Sequence, residues 1–449
     1  MSEVNSEVKK ESGSLRPLSD SERSMNWKSY LAMWLGGCIS IGTFTLGSGQ
    51  IEKGLNLVQA FAAMLIGSLI LIVCLCLNDQ FSYKTGAPYA VQLKSAFGLK
   101  GNVLPSMLRG LPAIVWYGVQ SWLGGNAINQ ISITLFGYDN VVLFFIVFQL
   151  LQIIISTTGF HGIKWVENIG ACVIVIALFY MLYVCVSQYG NVIGEKLLNI
   201  EGTWGMPFVS AIVAFFGVNI TVMLNSGDYA RELRSGYSTP KRGVAYFIAM
   251  VPATVLMGLI GLMISTATGI ANPINAFSQA VDNKFLVVIT LAFILFAQMT
   301  TNLASNVIPP AYALMDAFKI KHKTAAIIVG VLAVCSCPWI LSNDKSAAGL
   351  DLFVLIYTAF FGPIFAVLIM DYYIMRKRKV AIELLYDENG PYKGVNWAAI
   401  IAILVGAVIG LFNVDISFLT ATIPTALVYY LCMKFIPSCK RFRKGTILE

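Results

Sequence analysis

The sequence predicts an all-α polytopic membrane protein of about twelve transmembrane helices. Three observations lead there. The 449-residue chain is 57% hydrophobic and only 12% charged, against about 45–50% and about 25% in a soluble domain. Its apolar residues gather into runs that reach the roughly 20 residues a helix needs to cross a bilayer. Its 31 lysines and arginines fall almost entirely on one side of those runs.

The runs lie at 29–50, 56–78, 103–136, 140–159, 163–188, 206–228, 242–269, 285–318, 323–341, 350–375, 395–415 and 416–436. With the N-terminus inside, the inner connections and tails carry 26 Lys and Arg and the outer ones carry four: Lys53, Lys196, Lys284 and Lys345. Positive charge stays on the cytoplasmic side of a membrane, so both termini are expected inside, in the cell membrane. Arg109 alone is left over, at a helix end. The net charge of +8 thus reflects orientation and gives no sign of nucleic-acid binding. Residues 1–28 read as a mobile cytoplasmic tail without the pattern of a signal peptide. They precede a first five-helix repeat at 29–188, a second at 206–375, helices eleven and twelve at 395–436 and a basic cytoplasmic tail at 437–449. The connection at 376–394 is too short for a soluble domain. Nothing in the sequence specifies an oligomeric state.

Span one contains Gly36, Gly37, Gly42, Gly47 and Gly49 around Cys38-Ile39-Ser40-Ile41. Span six runs Phe215-Phe216-Gly217-Val218-Asn219-Ile220-Thr221, then Asn225-Ser226-Gly227-Asp228. Interrupted spans at matching places in two halves point to two inverted five-helix repeats with discontinuous helices one and six, the last two helices lying outside. Glycine also serves close helix packing, and this second reading stays open.

Span three carries Trp116 and Gln120 four residues apart, on one helical face. A flat aromatic beside an amide suits a planar heterocycle, whose ring stacks and whose N–H and C=O edges pair with Gln. Trp27, Trp204 and Trp397 lie near span ends and fit an interfacial belt. Span eight ends in Ala-Gln-Met-Thr-Thr-Asn-Leu-Ala-Ser-Asn-Val-Ile-Pro-Pro-Ala-Tyr over 297–312. Lipid cannot satisfy its amides and hydroxyls; they must face other helices, water or a cargo. Thr300 and Thr301 either face an ion or bond back to carbonyls four residues earlier. Asp228 and Arg109 each read as a gate charge or as a helix boundary.

Other function classes find little support. Two histidines and nine cysteines, most of the cysteines inside apolar segments, offer no zinc spacing. No Walker motif or nucleophile–base pair marks an enzyme, no cofactor is implied, and no ring of charges marks a channel.

Three motifs together resemble the nucleobase–cation symporter-1 family: Trp116-Tyr-Gly-x-Gln120-x-Trp122; Thr300-Thr301-Asn302…Asn306 with Pro310-Ala-Tyr312; and Asp371-Tyr-Tyr before Arg376-Lys-Arg. The resemblance covers about 20–430. It implies secondary active import of a nucleobase, allantoin or hydantoin, coupled to Na⁺ or H⁺. By position, Trp116 would stack on the ring, and Gln120 and Asn306 would bond its amide edges. Backbone carbonyls of Gly36, Ile39 and Ala297 with the hydroxyls of Thr300 and Thr301 would hold Na⁺. The family's hydantoin transporter carries a second stacking tryptophan where this chain has Asn219, and a glutamine where it has Ser40. Asn219 would favour a smaller, more polar ring. Alternatively it points away, and Phe215 or Phe216 supplies the second stack.

Overall fold

The computed structural model describes residues 15–38, 41–50, 53–158, 160–270, 276, 283–341 and 347–449. Among these, twelve helical units follow the order of the apolar runs. Span one is two helices, Trp27–Gly37 and Ile41–Ser48. Spans two to five are Leu57–Thr85, Val103–Phe136, Val141–Thr157 and Phe160–Ile193. Span six is three short pieces, Met206–Gly217, Ile220–Leu224 and Ser226–Ala230, and span seven is Thr239–Thr268. Span eight runs Lys284–Asn302, a π turn Leu303–Val307, then Ile308–Phe318. Span nine is His322–Cys335 with Pro338–Leu341, and span ten is Ala347–Ile369 continued by a π segment Met370–Met375. Spans eleven and twelve are Trp397–Leu411 and Ser417–Phe435. Side-chain oxygens of Asn26, Asn56, Asn140, Ser238, Asn283 and Asn396 accept first-turn N–H groups. Gly86, Gly137 and Gly269 close helices in the left-handed conformation.

The packing repeats with a shift of five spans. Span one packs on seven as six packs on two; three packs on four as eight packs on nine; one packs on five as six packs on ten. Two groups result. Spans one, two, six and seven share buried ties: Arg242 donates to both oxygens of Asp79 at 2.8 Å, Tyr30 and Tyr246 hydroxyls meet at 2.7 Å, and Asn78 Nδ2 donates to Met223 O and Leu224 O. Spans three, four, eight and nine share an amide network: Asn302 Nδ2 donates to Tyr117 O, Ser121 Oγ and Gln152 Oε1, while Gln149 Nε2 donates to Gly330 O. Buried amides without such partners would each cost a few kcal/mol. Large apolar side chains such as Val73, Ile154, Phe179 and Ile423 stay exposed on the flanks, as a multi-pass membrane protein requires.

Both readings of the glycines hold, in different places. A Cβ on Gly47 would lie 2.0 Å from Gly258 O of span seven, so that glycine serves close packing. Gly217 meets no such neighbour among the described residues and ends a helix.

Two expectations need correction on the face that carries most Lys and Arg, called here the basic face. The segment between spans two and three, expected as a connection, contains the helix Tyr89–Phe97, all nine residues buried. Its Lys94 pairs with Asp316 at 2.9 Å, which makes burial of that charge tolerable. The tails are also packed. Tyr386 Oη donates to Leu15 O, Arg23 Nη1 donates to Leu233 O, and Met25 forms an isolated bridge with Leu233. The Ser235 N–H and hydroxyl hold the Asp20 carboxyl below its usual range. Cys439 and Phe442 are buried beyond span twelve. Residues 1–14 lie outside the described part.

Candidate functional site

The two interrupted helices meet where the two groups of spans face each other. The parts of span one, Trp27–Gly37 and Gly42–Ser48, meet at 62°. Span six stops at Gly217, turns through Val218 and Asn219, and resumes at Ile220. Backbone groups at such breaks lose their helical partners and become available to a cargo.

Between them lies a cavity of about 30 Å³. Trp116 and Gln120 of span three and Thr301, Ser305 and Asn306 of span eight form one wall; Gly37 of span one and Asn219, Thr221 and Val222 of span six form the other. The half-buried Trp116 indole is pinned at its edge, Nε1 donating to Tyr357 Oη at 3.3 Å. Gln120 is 4% exposed, and no donor among the described residues reaches its Oε1. Asn219 is 5% exposed, and its Nδ2 meets no acceptor among them. An unpartnered buried amide atom is costly, and this cavity has one acceptor and one donor of that kind. Asn306 Nδ2 donates to Asn302 Oδ1 at 2.9 Å, which links the cavity wall to the amide network behind it.

The structure separates Phe216 from this group. Its ring lies 4.4 Å from that of Phe418 in span twelve and it does not line the cavity. On an unbroken helix Phe216 and Asn219 would lie about 60° apart; the turn at Val218 parts them. Ser40 and Ile39 lie outside the described residues.

Of the oxygens expected around a cation, three converge. Thr300 Oγ1 and Thr301 Oγ1 donate to Gly36 O at 3.4 and 3.0 Å. Ala297 lies one turn before Thr301 on the same helix. Beside them Ser305 Oγ donates to Gly37 O at 3.2 Å. Hard oxygens of this type, from hydroxyls and a carbonyl in the last turn of a broken helix, suit a small monovalent cation.

Sequence reasoning did not assign Thr221, Val222 or Ser305 to the cavity, nor the polar layer beneath it. Arg109, fully buried, donates through Nε to Thr221 O at 2.6 Å and through Nη2 to Asn225 Oδ1 and Ser305 O. Asp228, 1% exposed, accepts the backbone N–H of Tyr89 at 2.8 Å. The sequence signal was a charge inside or beside an apolar span.

A family model described as a permease for cytosine/purines, uracil, thiamine and allantoin matches residues 17–435. A hydantoin permease of Microbacterium maritypicum is 27% identical over 94% of this chain and 88% of its own length. An allantoin permease of Bacillus subtilis is 26% identical over 94% and 93%. Mhp1, a nucleobase-cation-symport-1 family transporter solved in a closed conformation with bromovinylhydantoin bound, superposes with a TM-score of 0.86 over 97% of both chains at 26% identity. A Na⁺-coupled sialic acid symporter at 12% identity and TM-score 0.69, covering 97% of this chain and 96% of its own, shares the fold alone. A pseudo-symmetric helical bundle, two broken spans and a polar cavity between two helix groups accompany a family match over almost the whole chain: the protein belongs to the nucleobase–cation symporter-1 family of permeases, and is a transporter rather than an enzyme.

Proposed function

We propose that this transporter is a secondary active symporter. It imports a small planar amide-bearing heterocycle with Na⁺ across the cytoplasmic membrane, with the basic face and both termini inside. The observation that carries this reading is the pairing of an orphan acceptor, Gln120 Oε1, with an orphan donor, Asn219 Nδ2, on a cavity bordered by the Trp116 indole. A cyclic amide or ureide offers an N–H to the first, a C=O to the second and a flat face to the third. Similarity to hydantoin and allantoin permeases supports the same substrate class. With Asn219 rather than an aromatic on the second wall, allantoin or an unsubstituted nucleobase fits better than an aryl-bearing ring. The Gly36, Thr300 and Thr301 oxygens support Na⁺ as the co-transported ion.

A volume of about 30 Å³ holds a water or two, so a ring enters only if the walls part. Those walls belong to the two internally tied groups of spans, and rocking one group against the other would open and close the cavity. The test is a thermal-shift screen of hydantoin, allantoin, uracil, cytosine and hypoxanthine with and without Na⁺. It is followed by uptake into vesicles with and without a sodium ionophore. Stabilisation by one ring class that grows with Na⁺, and accumulation that collapses with the ionophore, are expected. A ring that binds equally without Na⁺ and is never concentrated would overturn the coupling.

A further inference from the structure

The two groups of spans touch again below the cavity, and the chemistry of that contact is specific. Span eight turns there as a π helix, Leu303–Val307, and continues into Pro309 and Pro310. A π turn pairs residues five apart, and proline has no N–H to donate. The carbonyls five residues before these prolines are those of Ala304 and Ser305. Both receive side chains from elsewhere. Tyr229 of span six donates its hydroxyl to Ala304 O at 2.5 Å. Arg109 of span three donates Nη2 to Ser305 O at 3.0 Å. Asn225 joins the two donors: its Oδ1 accepts from Arg109 Nη2 at 2.8 Å, and its Nδ2 donates to the Tyr229 hydroxyl at 3.2 Å. The Arg109 Nε bond to Thr221 O, at 2.6 Å, completes the ring of contacts. Thr221 and Ser305 themselves line the cavity, so Arg109 holds two stretches of the cavity floor.

We propose that Arg109, Asn225 and Tyr229 form a latch on the proline-freed carbonyls of span eight. The latch keeps the cavity shut toward the basic face and sets Thr221 and Ser305 in place as positioning residues. Opening toward that face moves span six away from spans three and eight, and the Tyr229–Ala304 bond must break. The inference rests on the rocking reading given above, and its test uses no ligand, so the two fail separately.

The experiment compares Tyr229→Phe with Tyr30→Phe. Tyr30 bonds Tyr246 at 2.7 Å within one group of spans, so its loss costs a similar hydrogen bond without touching the contact between groups. Ser106, 3% exposed and one turn below Arg109, is changed to Cys in each background. Its rate of alkylation by a hydrophilic maleimide in nanodiscs is read at that peptide by mass spectrometry. Of the Tyr229 hydroxyl's bonds to Ala304 O and Asn225 Nδ2, only the first joins the two groups; its loss from the closed state should raise the labelling rate roughly fivefold to tenfold for Tyr229→Phe, and the rate should stay unchanged for Tyr30→Phe. Equal rates in both variants, or no rise for Tyr229→Phe, would overturn the latch. Loss of ligand binding by the unmutated protein would count against the transport reading only.

Discussion

Replacing Gln120 by Leu should move stability and binding in opposite directions. Gln120 is 4% exposed, and its Oε1 has no hydrogen-bond donor among the described residues. Holding a buried polar atom unpaired costs on the order of 1–3 kcal/mol. Leucine has nearly the same length and no acceptor, so the ligand-free Gln120→Leu protein loses that cost and should melt at a higher temperature. The bound complex suffers the reverse. A ring N–H that would have met Oε1 is buried against a methyl group, which costs a similar 1–3 kcal/mol, or about 5-fold to 150-fold in the dissociation constant. Melting in detergent followed by tryptophan fluorescence, and calorimetric titration with the ring identified by screening, measure the two quantities. A lower melting temperature with unchanged affinity would show that Gln120 is a packing residue held by its neighbours, and the reasoning from its orphan oxygen would be wrong.

Three further outcomes are expected. Trp116→Ala removes the stacking platform, worth about 1–3 kcal/mol for an aromatic against a base; titration should show affinity falling at least fivefold, and Trp116→Phe should recover part of it. Thr300→Ala with Thr301→Ala removes both hydroxyls from Gly36 O, so ligand stabilisation should cease to depend on Na⁺ in the melting assay, and persistence of that dependence would place the ion elsewhere. Asp79→Asn leaves the Arg242 guanidinium, 1% exposed, without its countercharge; loss of about 3–5 kcal/mol should appear as a large drop in melting temperature.

The crossings were legible because each needs a long apolar run, and the breaks because glycine and amide residues interrupt spans one and six at matching places. Trp116 and Gln120 were legible because helical spacing of four survives inside a regular span. Asn302 was visible as a polar residue, but its partners were not. It faces spans three and four and ties Tyr117, Ser121 and Gln152, a partnership set by tertiary packing. The helix Tyr89–Phe97 was missed because burial on every side erases the amphipathic stripe that marks a surface helix. The Phe216 expectation failed because a turn resets the angular bookkeeping on which a face argument depends. The donors that reach the carbonyls freed by Pro309 and Pro310 sit 75 and 196 residues earlier, a distance over which local pattern is silent.

The Arg376 side chain at the foot of span ten has a bearing on how the chain is made. It pairs with Asp371 at 2.8 Å and also donates to Phe442 O and Lys444 O, 66 and 68 residues further on. A ribosome translating about 5–20 residues per second therefore leaves this guanidinium waiting several seconds for its acceptors. Asp371 and Ser95 O are in place before then, but the carbonyls beyond span twelve are not, so biogenesis should pass through an intermediate with ten inserted helices and an unfinished rim on the basic face.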